Sequence, residues 1–547
     1  MTRQSDHGSR PPRRRRWVLW VALAAAWFAA VPARPLLDPD EGRYAEIPRE
    51  MLASGDWVTP RLDDLKYFEK PPLQYWGTAV AYSAFGFSEW SARLWTVGLG
   101  FLCLPMVWAF TRRLRGCAAG LCALAVLAVS PYFELLAHLN LLDAGFTLWL
   151  VGAIFAFALG QCAPVGSAIE RRWMLTAWTA AALAVLTKGI VVGVLAGVSL
   201  AAYSVIERDY RSWRRLHAAV GVCVLLLLTA PWFVAVSLRN PSFPRFFFIH
   251  EHFARYLTTV HERVEPWWYF AALLLIAAIP WLASAPAALA AAWREEGAEM
   301  HFKPLKFLTI FSAVTVLFFS ASGSKLAPYV LPVMPALAAV LGAHAAHRPF
   351  FIRRMALAAG LLLLVGAGGL VAYSLQRNGY LAAAALPWLL AAAAVAIAAA
   401  VVSQSLRQEA AGAIAWVTIA SAVLGWQFLL SAYAEVPPQR SAYRLAQAVR
   451  PLIHPHTQLF SLGQYRETLS PYLRRTVQLV QFDGELAFGL GEEPWKQLTG
   501  EAFLSQWNHA TDAVAFLDPH MLDAWRRRGL QGRVVASDHD TVAVSRL

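Results

Sequence analysis

Charge is what this chain has little of. Of its 547 residues 15% are charged and 58% are hydrophobic, whereas a soluble globular protein carries roughly 25% charge. An ordinary soluble fold is thereby excluded for most of the chain. Cysteine is also scarce. Cys103, Cys117, Cys122, Cys162 and Cys223 lie in or beside apolar segments, so no disulfide framework is implied for the C-terminal region. No internal repeat of solenoid length is evident, which sets repeat architectures aside.

What is present is a rhythm. Long apolar stretches alternate with short basic ones up to about residue 431, after which the composition turns ordinary. A hydrocarbon layer roughly 30 Å thick needs about 20 apolar residues per helix, and lipid forbids unpaired backbone. The net charge of +13 does not point to nucleic acid, because the arginines cluster between apolar runs, where orientation signals belong.

The N-terminal run 17–33 follows arginines 13–16 and reads as a retained first helix, with a cleaved secretory signal as the alternative. Further runs lie at 91–111, 116–132, 138–160, 173–187, 190–205, 218–238, 267–290, 306–321, 326–345, 355–374, 380–402 and 412–431. Alternate connections are basic: 112–115, 171–172, 208–215, then Arg294 with Lys303 and Lys306, Arg348 with Arg353 and Arg354, and Arg407. The positive-inside rule puts these in the cytoplasm, and an odd number of spans leaves the C-terminal domain outside. The mixed stretch 34–90 becomes a long first outer loop. Within it, a helix starting near Asp40 and the segment 72–87 are expected to lie along the outer membrane surface.

The expected fold is an all-α polytopic membrane domain of about thirteen transmembrane helices over 1–435, followed by a small α/β domain over 436–547. That domain carries β-branched runs at 457–462, 476–482, 512–517, 533–537 and 541–546, with helical stretches such as 440–450 and 494–508 between them. None of it looks like a catalytic motif.

The outer connections hold unusual polar residues. Asp40, Arg43 and Tyr44 share one helical face. Asp40 alone is explained as a helix N-cap, which leaves Glu41 and Arg43 free. Glu69 and Lys70 precede the rigid Pro71-Pro72. Asp143 lies near the outer end of an apolar run, where an acid is costly and by default functional. Lys188 closes another outer end, with snorkelling as the bland alternative. The loop 239–266 carries His250, Glu251 and Arg255. His250 and Glu251 with Glu69 suggest a divalent metal such as zinc, although the spacing is no strong metal signature. Arg255 suits phosphate, which a planar guanidinium binds bidentately. Lys325 and Tyr329 sit at a last outer end, before Pro332 and Pro335. Acids Asp40, Glu69 and Asp143 and cations Lys70, Lys188 and Arg255 would then converge above the same helix ends. Such a site is built for an anionic group that arrives within the membrane, as a lipid-linked phosphate does.

At these residues the sequence resembles the membrane glycosyltransferases of the GT-C class, above all the lipid A aminoarabinose transferases and their relatives, the protein O-mannosyltransferases. The resemblance rests on 40–44 (DEGRY), 67–72 (YFEKPP), Leu142-Asp143, 187–189 (TKG), and Ser324-Lys325 through Tyr329 to Pro332. It implies transfer of 4-amino-4-deoxy-L-arabinose from undecaprenyl phosphate to a phosphate of lipid A. The setting implied is the periplasmic face of a bacterial inner membrane, and the result is resistance to polymyxin and cationic peptides. It implies Lys70, Lys188 and Arg255 on the donor phosphate, and Asp40 and Asp143 orienting sugar or acceptor. Glu69 would take the amine or a metal with His250. Arg43, Tyr44, Tyr67, Lys325 and Tyr329 would line the substrate pocket. Two alternatives stay open. A protein O-mannosyltransferase, or another polyprenyl-phosphate-sugar glycosyltransferase, would need a carboxylate as general base for its hydroxyl acceptor. A secondary transporter would place its charges near the midplane between repeats.

Overall fold

The computed structural model describes residues 13–254, 256, 265–296, 302–346, 348–407, 410–436 and 440–546. Among them, eight helices are long and apolar enough to cross a membrane. A ninth is added if Tyr269–Ala277 and Leu282–Trp293, bent by 106°, form one span. The chain is thus a multi-pass helical membrane protein with eight or nine candidate spans, fewer than the thirteen apolar runs suggest. The reasons are local. Runs 91–111 and 116–132 share one helical stretch, Glu89–Ala128, which turns at Gly116 with φ 88°, a backbone angle that a side chain disfavours. The helices Trp17–Phe28 and Val191–Glu207 are apolar but short. Helix Ala168–Lys188 carries Glu170, Arg171, Arg172 and Lys188 at its ends.

The chain divides into two compact units. One unit is Met1–Ala33 with Pro349–Val436. It contains α1 (Arg13–Phe28) and the helices Pro349–Asn378, Leu386–Ser405 and Ala411–Glu435. Leu363, Leu389, Ala392, Trp426 and Leu429 form its core. Small residues let these helices approach closely, as membrane helices commonly do.

The other unit is Arg34–Arg348 with Pro437–Leu547. It opens with α2 (Asp40–Ser54) and a two-stranded hairpin, β1 (Arg61–Leu62) and β2 (Leu65–Lys66). The turn residues Asp63 and Asp64 both have positive φ, as a tight hairpin requires. Next come α3 (Leu73–Phe85), α4 (Glu89–Ala128), α5 (Pro131–Ala137), α6 (Asp143–Gln161), α7 (Ala168–Lys188) and α8 (Val191–Glu207). The run expected at 138–160 begins as a helix only at Asp143, and the one expected at 326–345 starts with a tight turn before Val333–Ala345.

The basic connections of this unit come together. Arg115 pairs with Glu295, Arg215 with Glu170 at 3.1 Å, and Lys303 and Lys306 with Glu207. Glu295 also accepts from the backbone N–H groups of Leu305 and Lys306 at 2.8 and 3.2 Å. These basic connections of the unit therefore lie together at one end of its helices.

Past residue 436 the chain builds a six-stranded mixed sheet in the order β5-β4-β3-β6-β8-β7. The strands are β3 (Gln458–Leu462), β4 (Gln478–Val480), β5 (Gln497–Leu498), β6 (Ala513–Leu517), β7 (Arg533–Ser537) and β8 (Val542–Ser545). Strands β3 to β6 run parallel, while β8 is antiparallel to both β6 and β7. Five strands fall on the expected β-branched runs. The sixth, β5, lies inside the expected helix 494–508, which starts only at Gly500 because Thr499 caps it.

This sheet domain is bolted to the first loop. Arg466 bridges Asp38 and Asp538 at 2.9 and 2.8 Å. Leu36 N–H donates to the Tyr472 hydroxyl at 2.6 Å. A Cβ on Gly42 would fall 2.4 Å from the Glu467 carbonyl carbon, so close approach of this backbone explains a glycine inside the DEGRY segment.

Candidate active site

The site begins with α2. Asp40 does not cap this helix: Pro39 holds the N-cap position with no side-chain bond. Asp40 instead accepts from Arg43 at 2.9 Å. Glu41 is not free either. It accepts from the fully buried Arg93 at 2.7 and 2.9 Å and from the N–H groups of Leu37 and Asn140 at 3.1 and 2.8 Å. Burial alone would raise its carboxyl, but Arg93 and Arg34 hold it down at about 2. Glu41 is therefore a structural anchor for the first loop.

Arg43 is buried and faces the C-terminal domain. It pairs with Glu485, lies 3.9 Å from Glu467 and sits 5.7 Å from the Tyr67 ring centre. Burial opposes its charge, yet the fields of Tyr67, Glu485, Asp40 and Glu69 push its pKa up. Burial also raises the Glu467 carboxyl, while Arg43 holds that of Glu485 below its usual range. Tyr44 stacks on Tyr75 with ring centres 5.9 Å apart, and both are buried. These side chains form a polar chamber walled by tyrosines.

Glu69 adjoins this chamber, acting electrostatically on Arg43, Tyr67 and Tyr75. It also lines a cavity of about 520 Å³ with Lys70, Lys188, Glu251, Tyr256, Ser324 and Tyr329. The apolar wall comes from Ile190, Val191 and Val194 at the start of α8 and from Phe318 and Phe319 of helix Pro304–Ala321. Lys188 ends α7, and Asp143 begins α6; the ammonium donates to Asp143 at 2.5 Å. The same nitrogen lies 4.5 Å from the Tyr329 ring centre and 5.1 Å from that of Phe146, which adds cation–π attraction. Lys70 donates to the Glu69 carbonyl at 2.8 Å and to Glu251 at 3.4 Å. The geometry thus supplies two ammonium groups at one end of a cavity whose other wall is hydrocarbon.

Of the residues singled out in the sequence, Glu69, Lys70, Lys188 and Tyr329 line this cavity, and Asp143 joins them through Lys188. Asp40, Arg43, Tyr44 and Tyr67 belong to the adjoining chamber. Lys325 turns aside and donates to the Ser322 carbonyl at 2.7 Å, which fastens its own loop. Arg255 lies outside the described residues. His250 stacks on Phe246, with Nδ1 3.5 Å from Glu251. Among the described residues no group of three or more His, Cys, Asp or Glu is arranged to hold a metal ion. Lys70 stands 3.8 Å from the Glu69 carboxylate and 3.4 Å from that of Glu251, so an ammonium occupies the place a bridging cation would take.

Glu485, Glu467 and Tyr256 are missing from the sequence reading. Arg43 and Glu485 are 442 positions apart, and no local pattern links them.

Comparison with known proteins agrees with this geometry. Residues 445–546 match the family model described as the aminoarabinose transferase C-terminal domain, and residues 12–247 match that of dolichyl-phosphate-mannose-protein mannosyltransferase. The undecaprenyl phosphate-alpha-4-amino-4-deoxy-L-arabinose arabinosyl transferase of Pseudomonas paraeruginosa is 35% identical over 341 residues. That match spans 60% of this chain and 59% of the relative, so the alignment covers less than two thirds of the relative's length. The crystal structure of ArnT from Cupriavidus metallidurans bound to undecaprenyl phosphate superposes with a TM-score of 0.89 at 34% identity, covering 98% of each chain. Its apo state gives 0.85 at 32% identity, again over 98% of each chain. The chain belongs to the ArnT aminoarabinose transferase family.

Proposed function

We propose that this protein transfers 4-amino-4-deoxy-L-arabinose from undecaprenyl phosphate to a phosphate of lipid A. The observation that carries the reading is the cavity itself, with Lys70 and Lys188 at one end and Ile190, Val191, Val194, Phe318 and Phe319 along its wall. The ammonium groups suit a phosphate and the apolar wall suits a prenyl chain. The related ArnT of Cupriavidus metallidurans has been crystallised with undecaprenyl phosphate.

The reaction needs no strong base. An acceptor phosphate oxygen is already anionic and attacks the anomeric carbon of the sugar. The bond from that carbon to the donor phosphate oxygen breaks, and its electron pair leaves with undecaprenyl phosphate. Catalysis then rests on positioning and on stabilising the leaving phosphate. Lys70 and Lys188 supply that stabilisation, together with Arg255. Asp143 orients Lys188. Asp40, Glu69 and Glu485 take the sugar amine beside Arg43, with Tyr44, Tyr67 and Tyr329 lining the sugar.

In this reading the thirteen apolar runs all cross the bilayer, the domain boundary falls at 435/436, and the clustered basic end faces the cytoplasm. The site and the sheet domain then face the periplasm of a bacterial inner membrane. The product lowers lipid A negative charge and confers resistance to polymyxin and other cationic peptides. The test is expression in a polymyxin-sensitive strain that makes the donor but lacks its own transferase. Mass spectrometry should show lipid A carrying added aminoarabinose. Unmodified lipid A beside well-folded protein overturns the reading, and movement of the lipid-linked sugar without transfer would identify a transporter instead.

A further inference from the structure

The reading above gives Lys70 a phosphate to hold and leaves Glu251 without a task. Glu251 lies on the helical turn Arg245–Ala254. Phe247, one turn earlier, is packed with Phe68, Trp232, Val236 and Phe243. That packing fixes the face on which Glu251 points inward, with its side chain only 2% exposed. A buried carboxylate is costly unless it meets a cation, and Lys70 stands 3.4 Å from this one, with His250 Nδ1 at 3.5 Å.

The two cavity lysines are held differently. Lys188 is hydrogen-bonded directly to the Asp143 carboxylate. Lys70 stands 3.4 Å from Glu251 and 3.8 Å from the Glu69 carboxylate, both longer than the usual charge-assisted range. Lys70 is thus held beside the cavity by the Glu69 carbonyl at 2.8 Å and by two carboxylates beyond that range, and a phosphate oxygen at 2.8 Å would compete well against either carboxylate. The charge balance changes during the reaction. The sugar-linked donor is a phosphodiester with one negative charge, and the released prenyl phosphate is a monoester that gains a second.

We propose that Glu251 is a positioning residue that holds Lys70 in the empty site, yields it to the donor phosphate, and reclaims it so that prenyl phosphate leaves. The inference rests on the donor reading given above. A carboxylate that competes for Lys70 weakens product binding and speeds turnover.

The experiment uses the full chain in nanodiscs, with undecaprenyl phosphate as the probe for binding and the sugar-linked lipid for turnover. Glu251→Gln keeps the size of the side chain and removes its charge. It should bind undecaprenyl phosphate about tenfold tighter, within the usual range of coupling between sites, and lower kcat and KM together. Glu251→Asp, which retains the charge, should return both toward wild type. In a Lys70→Ala background the gain in affinity from Glu251→Gln should shrink, since the pair acts as a unit. A structural role predicts weaker binding and no such split. Equal or weaker binding by Glu251→Gln, or an undiminished gain without Lys70, overturns the inference. Wild-type protein that fails to bind undecaprenyl phosphate overturns the donor reading beneath it.

Discussion

The two ends of the helices both carry ion pairs, and they use them differently. At the basic end, Glu295 takes Arg115 and two backbone N–H groups, while Glu207 takes two lysines. Arg115 and the two lysines tie one connection to another, and the backbone N–H groups close Glu295 on its own connection. At the other end Lys188 and Lys70 also have carboxylate partners, but both line an open volume of about 520 Å³. Ion pairs closed on themselves hold loops together. In the proposed reading, ion pairs beside a cavity serve an anionic ligand.

The sharpest way to break this comparison is Lys188→Ala. Loss of a group that stabilises developing charge costs about 10²–10³-fold in rate, so transfer should fall by that much while protein abundance stays level. A loss explained by low abundance, with specific activity retained, would make Lys188 no different from the lysines at the basic end. Glu295→Ala probes that end. It removes an acceptor from two backbone N–H groups and Arg115, and hydrogen bonds to charged groups contribute about 1.5–3 kcal/mol. Thermal unfolding should report a loss of that order, with transfer per folded molecule within about twofold of wild type.

Gly42→Ala tests how the sheet domain meets the site. Its new methyl would meet the Glu467 backbone, an overpacking that costs about 1–3 kcal/mol. Limited proteolysis of the C-terminal domain should quicken, and transfer should drop because Glu485 moves away from Arg43.

A smaller effect comes from pH. Asp63 is buried between the first loop and the sheet domain, where it accepts from Val477 N–H at 2.8 Å and from the Ser470 hydroxyl at 3.2 Å. Glu46 and Glu50 face it from α2, Tyr465 faces it from the sheet domain, and the nearby Arg49 is bound to Glu46 at 2.6 Å. Burial, with the field of Glu46, pushes the Asp63 carboxyl up to about 8 from 3.8. The folded protein therefore keeps a proton that the unfolded chain gives up, and stability falls as pH rises from about 4 to 8. Glu41 has the opposite sign: with its carboxyl at about 2 against 4.5, its contribution is present above 4.5 and disappears as pH falls through 2. Asp63→Asn should flatten the alkaline side of a melting-temperature profile and leave the acid side unchanged. An unaltered profile would mean that Asp63 carries no proton at neutral pH.

Much of this molecule was legible from one-dimensional pattern. Apolar runs located the helices, because lipid accepts little else, and β-branched runs located five of the six strands. The alternation of basic connections sorted the polar residues by end, which was enough to pick out Lys70, Asp143, Lys188 and Tyr329. Distance along the chain hid the rest. Glu485 sits in an unremarkable turn, and only the docking of the sheet domain on Gly42 carries it to Arg43. Lys325 shows the reverse. Its position at an outer end drew attention, and no local pattern announced the bond from its ammonium to a carbonyl of its own loop. Glu41 looked available and is the most completely bonded acid of the first loop, because Arg93 from α4 reaches it. A sequence shows which groups share an end, and packing decides which of them face the cavity.

The central claim is that the cavity holds a lipid-linked sugar and passes it to lipid A. The most direct measurement is transfer in proteoliposomes containing the purified full chain, the undecaprenyl phosphate-linked sugar and lipid A, with products read by mass spectrometry. Wild-type protein should yield lipid A carrying the amino sugar and release undecaprenyl phosphate in equal amount, and Lys188→Ala should yield neither. Lipid A left unmodified by folded wild-type protein, or modified equally by both proteins, would contradict the account.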